Sequence, residues 1–161
     1  MLVPCWRGFV VAAALAAAAL PRPLWAGGEP PMAGSARCRF VVPEGWAARP
    51  VRWSGGCHAG LAEGRGILRA YEHGQVAGTF FGTLQAGQLA LGVIEQPDGF
   101  VAGRFEAGKV VVDGERNTLI MAFDEANAAA LQLAEGYRKA GNAASANYYK
   151  NKAQQLSGQM D

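Results

Sequence analysis

The spacing of apolar and polar positions divides the chain into three stretches. An unbroken apolar run, "GFVVAAALAAAAL", occupies positions 8–20 behind Arg7. From Trp53 to Gly114, bulky residues and glycines alternate in "W-x-G-x-C" and "F-x-G-x-L" arrangements. A period of two puts the large side chains and the glycine between them on one face of a strand. After Phe123 the text changes to "DEANAAALQLAEGYRKAGNAASANYYKNKAQQL", rich in Ala, Leu, Gln and Lys and free of proline, which is helix-forming composition. The pattern predicts strands at 39–42, 51–57, 67–71, 79–84, 91–95, 100–106, 110–112 and 118–122. It predicts helices at 125–140 and 143–156, with Asp124 as N-cap and a break at Gly141 and Asn142.

The glycines recur in register. "WSGGCHAGLAEGRGIL" (53–68), "FFGTLQAGQLALGVI" (80–94) and "VAGRFEAGKVVV" (101–112) align on Trp53, Gly55, Cys57, Gly60; on Phe80, Gly82, Leu84, Gly87; and on Val101, Gly103, Phe105, Gly108. The first block continues through Gly64 and Gly66, the second keeps only Gly92 of that pair, and the third lacks it. A glycine between two large residues leaves a slot that an aromatic can lie across. The glycine in "HAG", "QAG" and "EAGK" supplies the freedom of a tight turn. Neighbours in sequence are then neighbours in the sheet.

The blocks resemble the membrane occupation and recognition nexus (MORN) repeat, whose pattern is aromatic, x, Gly, x, aromatic, two residues, Gly, three residues, Gly, x, Gly. Cys57 stands at the second aromatic position. The resemblance implies a mainly β fold, an antiparallel meander of MORN-like hairpins each stabilised by the next, followed here by the C-terminal helical hairpin. It also implies scaffolding by protein contact, with membrane-lipid binding proposed in the family as well. The tail is similar to a single tetratricopeptide unit through Tyr137, Gly141, Asn142, Ala146 and Ala153; one such unit cannot bury its own apolar face. The packed arrangement of that tail sets Leu131, Leu133, Tyr137 and Tyr148 against the sheet. The other arrangement leaves them free for a partner.

The apolar run ends at Leu20, short of the roughly 20 residues a spanning helix needs, and is followed by "PRPLWAGG" with Ala26 at a signal-peptidase position. It reads as a secretory signal peptide. The expected organisation is signal peptide 1–26, flexible linker 27–37, repeat domain 38–122 and helical segment 123–161, in the periplasm or outside the cell. Cleavage removes Arg7 and Arg22 from 15 basic residues set against 13 acidic ones. The balanced remainder has no basic footprint for nucleic acid and gives lipid contact little electrostatic support. Cleavage also removes Cys5, and in an oxidising compartment the remaining Cys38 and Cys57 are expected to pair. That bond would tie the first strand to the repeats and stabilise the fold by about 3 kcal/mol.

Candidate chemistry is sparse. A zinc site from Cys38, Cys57, His58 and His73 fits no structural spacing, because adjacent strand residues point to opposite faces. "GLAEGRG" lacks the Lys-Ser/Thr ending of a phosphate loop. No cofactor or metal is expected. Glu63, Glu72, Glu95, Asp98 and Asp113 are scattered over turns. Two functional readings remain. The first is an exported, non-catalytic scaffold or interaction module whose partner is another envelope protein. The second is a small periplasmic hydrolase or carbohydrate-binding enzyme, with two turn carboxylates as acid and base and Trp53, Phe81 and Phe100 as a sugar platform.

Overall fold

The computed structural model describes residues 30–112 and 114–159; the expected signal segment and Asp113 lie outside them. Among the described residues, nine strands precede two helices. The strands are β1 (Met32–Ser35), β2 (Cys38–Val41), β3 (Val51–Trp53), β4 (Gly56–His58), β5 (Leu61–Glu72), β6 (Gln75–Gln85), β7 (Gln88–Gln96), β8 (Gly99–Glu106) and β9 (Lys109–Val111). The helices are α1 (Arg116–Lys139) and α2 (Ala143–Ser157). Strands β5 to β9 form an antiparallel meander, and β3 and β4 both pair with β5. The fold is thus mainly β, a curled and mostly antiparallel sheet followed by a helical pair.

Glycine determines how the strands stack. Gly66, Gly82, Gly92 and Gly103 are register partners across β5 to β8, and Gly55 lies against Gly66 at the edge. In the first two blocks the first glycine therefore sits beside the block's last one, as Gly55 does with Gly66 and Gly82 with Gly92. Large side chains fill the lane so formed. The Trp53 ring covers Gly55 and Gly66, and the Phe80 ring covers Gly82 and Gly92. Phe105 meets Phe80 edge-on at 5.4 Å between centroids.

Of the two-residue loops between paired strands, four share one backbone form: Ala59 and Gly60, His73 and Gly74, Ala86 and Gly87, Ala107 and Gly108. Both residues of each take positive φ, near +50° and +80°. This is the type I′ hairpin, which matches strand twist and favours glycine at its second position. The segment around β2 crosses three of these tips. Arg39 N donates to Gly60 O at 2.9 Å, Val41 N to Gly87 O at 2.7 Å and Glu44 N to Gly108 O at 2.8 Å. The Cys38–Cys57 disulfide, with Cα atoms 5.4 Å apart, fastens β2 to β4.

Both faces of the sheet are covered. On one, Leu68, Phe80, Leu84, Ile94 and Phe105 pack with Phe40, Val41, Val42 and Trp46. On the other, Ile67, Phe81 and Val93 meet the helices through Ala122, Ala126, Ala129, Ala130, Tyr149, Ala153 and Leu156.

Several sequence expectations need correction. Residues 118–122 are helix, and α1 starts at Arg116 with Glu115 as an N-cap lacking a side-chain cap bond; Asp124 is exposed inside the helix. "TLIMA" has the composition of a strand, but Thr118, Ala122 and Ala126 continue a single helical face buried on the sheet. Tertiary packing overrides local propensity there. The strand expected at 51–57 is two strands, because Trp53 folds back over Gly55 and its Nε1 donates to Gly56 O at 2.9 Å. Residues 32–35, within the stretch expected to link, pair with β2. Leu131 and Tyr148 do not pack on the sheet; they are 47% and 57% exposed. The alanine face takes their place, since small side chains let the helix lie close.

Candidate functional site

The structure disperses the residues that the enzymatic reading gathers. Trp53 lies in the glycine lane on one face of the sheet, Phe81 is buried beneath the helices on the other, and Phe100 packs edge-on against Phe123. Phe81 and Phe100 share the helical face and Trp53 lies on the opposite one, so the three form no common platform. Among the carboxylates, Glu63 accepts the Ala86 backbone N–H at 2.6 Å. Glu72 pairs with Arg49 at 3.8 Å and Glu95 with Lys152 at 2.7 Å, while Asp98 is exposed at a turn. His58 and His73 flank opposite ends of β5, on the order of 35 Å apart along a strand of that length. Cys38 and Cys57 are bonded to each other. Among the described residues no group of His, Cys, Asp and Glu is placed to hold a metal, and no helix is long and apolar enough to cross a membrane.

What the fold does gather is tyrosine and arginine. In the pairing of β3 with β5, Arg52 stands directly opposite Arg69. Their neighbours Val51, Trp53, Leu68 and Ala70 belong to the core on the other face, so both arginines project toward the helical side. Tyr71 follows two residues after Arg69, and the Arg52 guanidinium lies over its ring at 5.8 Å. The first turns of α2 bring Tyr148 and Tyr149, and the last turn of α1 brings Tyr137. Tyr137 and Tyr149 stack at 5.7 Å, and Tyr148 meets Tyr149 edge-on at 4.9 Å. The Arg69 guanidinium lies over Tyr149 at 5.2 Å and donates to a tyrosine hydroxyl of that ring. All 4 tyrosines of the chain therefore meet at one place.

Arg69 and the four tyrosines line a crevice of about 480 Å³ between α2 and the end of the β5–β6 hairpin, with Val76 and Ser145 on its walls and Arg52 just outside it. A second depression, of about 780 Å³ and including Arg49 and Arg52, adjoins it; Tyr71 walls both. Val76 and Tyr148 are more than half exposed at the mouth. Burial pushes the Tyr149 phenol above the usual tyrosine range, against the opposing pull of Arg69. It stays neutral, accepts from Arg69 and keeps its own hydrogen to donate.

Ion pairs hold the helices that form the crevice. Arg65 Nε lies 2.7 Å from Glu125 Oε1, with Thr83 donating to the same carboxylate. Lys152 Nζ ties α2 to Glu95 on β7. Arg52 and Arg69, by contrast, have no carboxylate within ion-pair distance among the described residues. The site can hold flat or anionic groups between phenol rings and guanidinium donors. It contains no paired nucleophile and base.

Sequence reading missed this constellation, although it named Tyr137 and Tyr148 individually. The adjacent pair "YY" at 148–149 was its only local signal; the rest depends on the register of a three-residue strand. No family model matches the chain, and no curated protein or solved structure is detectably similar to it.

Proposed function

We propose that this protein is an exported, non-catalytic interaction module of the cell envelope, built on MORN-like hairpins, and that the tyrosine and arginine crevice is its contact surface. The observation that carries this reading is the crevice, where four tyrosines, half-exposed Tyr148 among them, meet Arg69, with Arg52 in the adjoining depression. Tyrosine and arginine are the residues most enriched where protein contacts concentrate their energy. Among the described residues the remaining aromatics are used in the core, and both sheet faces are covered, which leaves the helical edge as the place for a partner. The glycine lane and turn glycines fit the resemblance of the three blocks to MORN repeats. The disulfide is compatible with export.

Crosslinking in the native envelope tests the reading. A photoreactive residue at Val76 is expected to capture one recurrent envelope protein, and Tyr148→Ala is expected to remove that product while leaving the unfolding midpoint unchanged. Equal capture from Val76 and from Leu131, on the outer side of α1, would count against a dedicated surface.

A further inference from the structure

We infer that the crevice and the depression beside it recognise an acidic peptide segment of the partner, seating a side-chain carboxylate between Arg52 and Arg69 where the two meet at Tyr71. This rests on the interaction reading above and adds to it the chemistry of the partner. Like charges directly opposite one another on a sheet are destabilising, and this pair is left without a carboxylate although others nearby are matched. Arg49 has Glu72 and Lys152 has Glu95. A bound carboxylate would relieve the repulsion and accept charge-assisted hydrogen bonds from both guanidinium groups.

The surroundings fit that occupant. Tyr71 and Tyr149 lie beneath the two guanidinium groups and hold them as flat, oriented donors. The neutral Tyr149 hydroxyl has a hydrogen left to give. The walls are tyrosine rings and Val76, suited to the carbon skeleton of a peptide. Recognition of a nucleic-acid backbone takes many more cations. The crevice and the depression beside it also offer far more room than one small anion fills.

The test uses the full exported chain with its disulfide intact and a fluorescently labelled peptide, Gly-Glu-Glu-Glu-Glu-Gly, against its all-glutamine counterpart at low ionic strength. Anisotropy is expected to report binding of the glutamate peptide alone. Arg52→Gln is expected to weaken it about tenfold, close to the loss of one charge-assisted hydrogen bond. Arg104→Gln, which removes the same charge from exposed β8, is expected to change it less than twofold, about the size of a screened surface charge. Because Arg69 also braces Tyr149, the exposed Arg52 carries the comparison, and thermal unfolding confirms that both variants are folded. Equal binding of the two peptides, equal loss in the two variants, or Arg52-dependent binding to phosphatidylglycerol vesicles in place of the peptide would each overturn the inference. If Tyr148→Ala abolishes the envelope crosslink while Arg52→Gln leaves it intact, the interaction reading stands and the acidic segment falls.

Discussion

At the scale of single residues, stability is most exposed where the backbone is nearest to other backbone. A Cβ on Gly92 would come within 2.2 Å of Phe81 O and 2.8 Å of Gly82 Cα. Neither atom can move without parting β6 from β7. Gly92→Ala is therefore expected to cost about 2–3 kcal/mol by overpacking, read as a lowered denaturant midpoint, whereas Gly136→Ala, where a Cβ would meet nothing, should be neutral or stabilising. Similar losses in both would mean that the lane has slack. Glu125 gives a prediction of another kind. Its hydrogen bond with Arg65 lowers its pKa below the ordinary 4.5, outweighing the burial that raises it, and Thr83 adds to the lowering. A depressed folded-state value means stabilisation that is present above the unfolded pKa and is lost as pH falls through the folded one. Glu125→Gln should lose about 1–2 kcal/mol at neutral pH, and the gap to the parent should close as the medium is acidified below the ordinary carboxylate range. A gap that does not depend on pH would show that the charge is immaterial.

At the scale of elements, the disulfide and the hydrogen bonds around β2 form one device. Cys38 is anchored to Cys57, and the chain then donates to successive hairpin tips. Reduction, or Cys57→Ser, is expected to cost about 3 kcal/mol on the loop-entropy estimate. The amide of Val41 should lose hydrogen-exchange protection before those of Phe81 and Val93 at the centre of the sheet. Uniform loss of protection would indicate that the bond acts only on the unfolded chain. The elements that could be read in the sequence were those with a repeating pattern: period two together with glycine placed β6, β7 and β8 within a few residues, and Asn142 marked the start of α2, where its side chain accepts from Ser145 N. β1 has no period to read in "MAGS". The start of α1 was hidden because its β-branched and apolar residues are decided by what lies beneath them.

At the scale of the molecule, the sheet is a middle layer with the β2 segment and Trp46 on one side and the helices on the other. Removing the chain after Gly114 would uncover Ile67, Phe81 and Val93 together, a contiguous apolar patch that monomers rarely expose. Such a truncated chain is expected to bind a hydrophobic dye and to self-associate in size-exclusion chromatography; a well-behaved monomer with the parent's midpoint would show that the helices are appendages. The candidate site was illegible for a related reason. Tyr71, Tyr137 and Tyr149 are far apart in sequence, and they meet because the alanine face of α1 fixes where α2 crosses the sheet.

The strand that crosses the hairpin tips also acts as a ruler. Its donors at Arg39, Val41 and Glu44 are spaced to meet the tips at Gly60, Gly87 and Gly108, so this thread sets the spacing of the hairpins it crosses. An array of stacked repeats has no intrinsic end. Here the three tips on one side are matched one to one by donors in a segment that belongs to none of the hairpins.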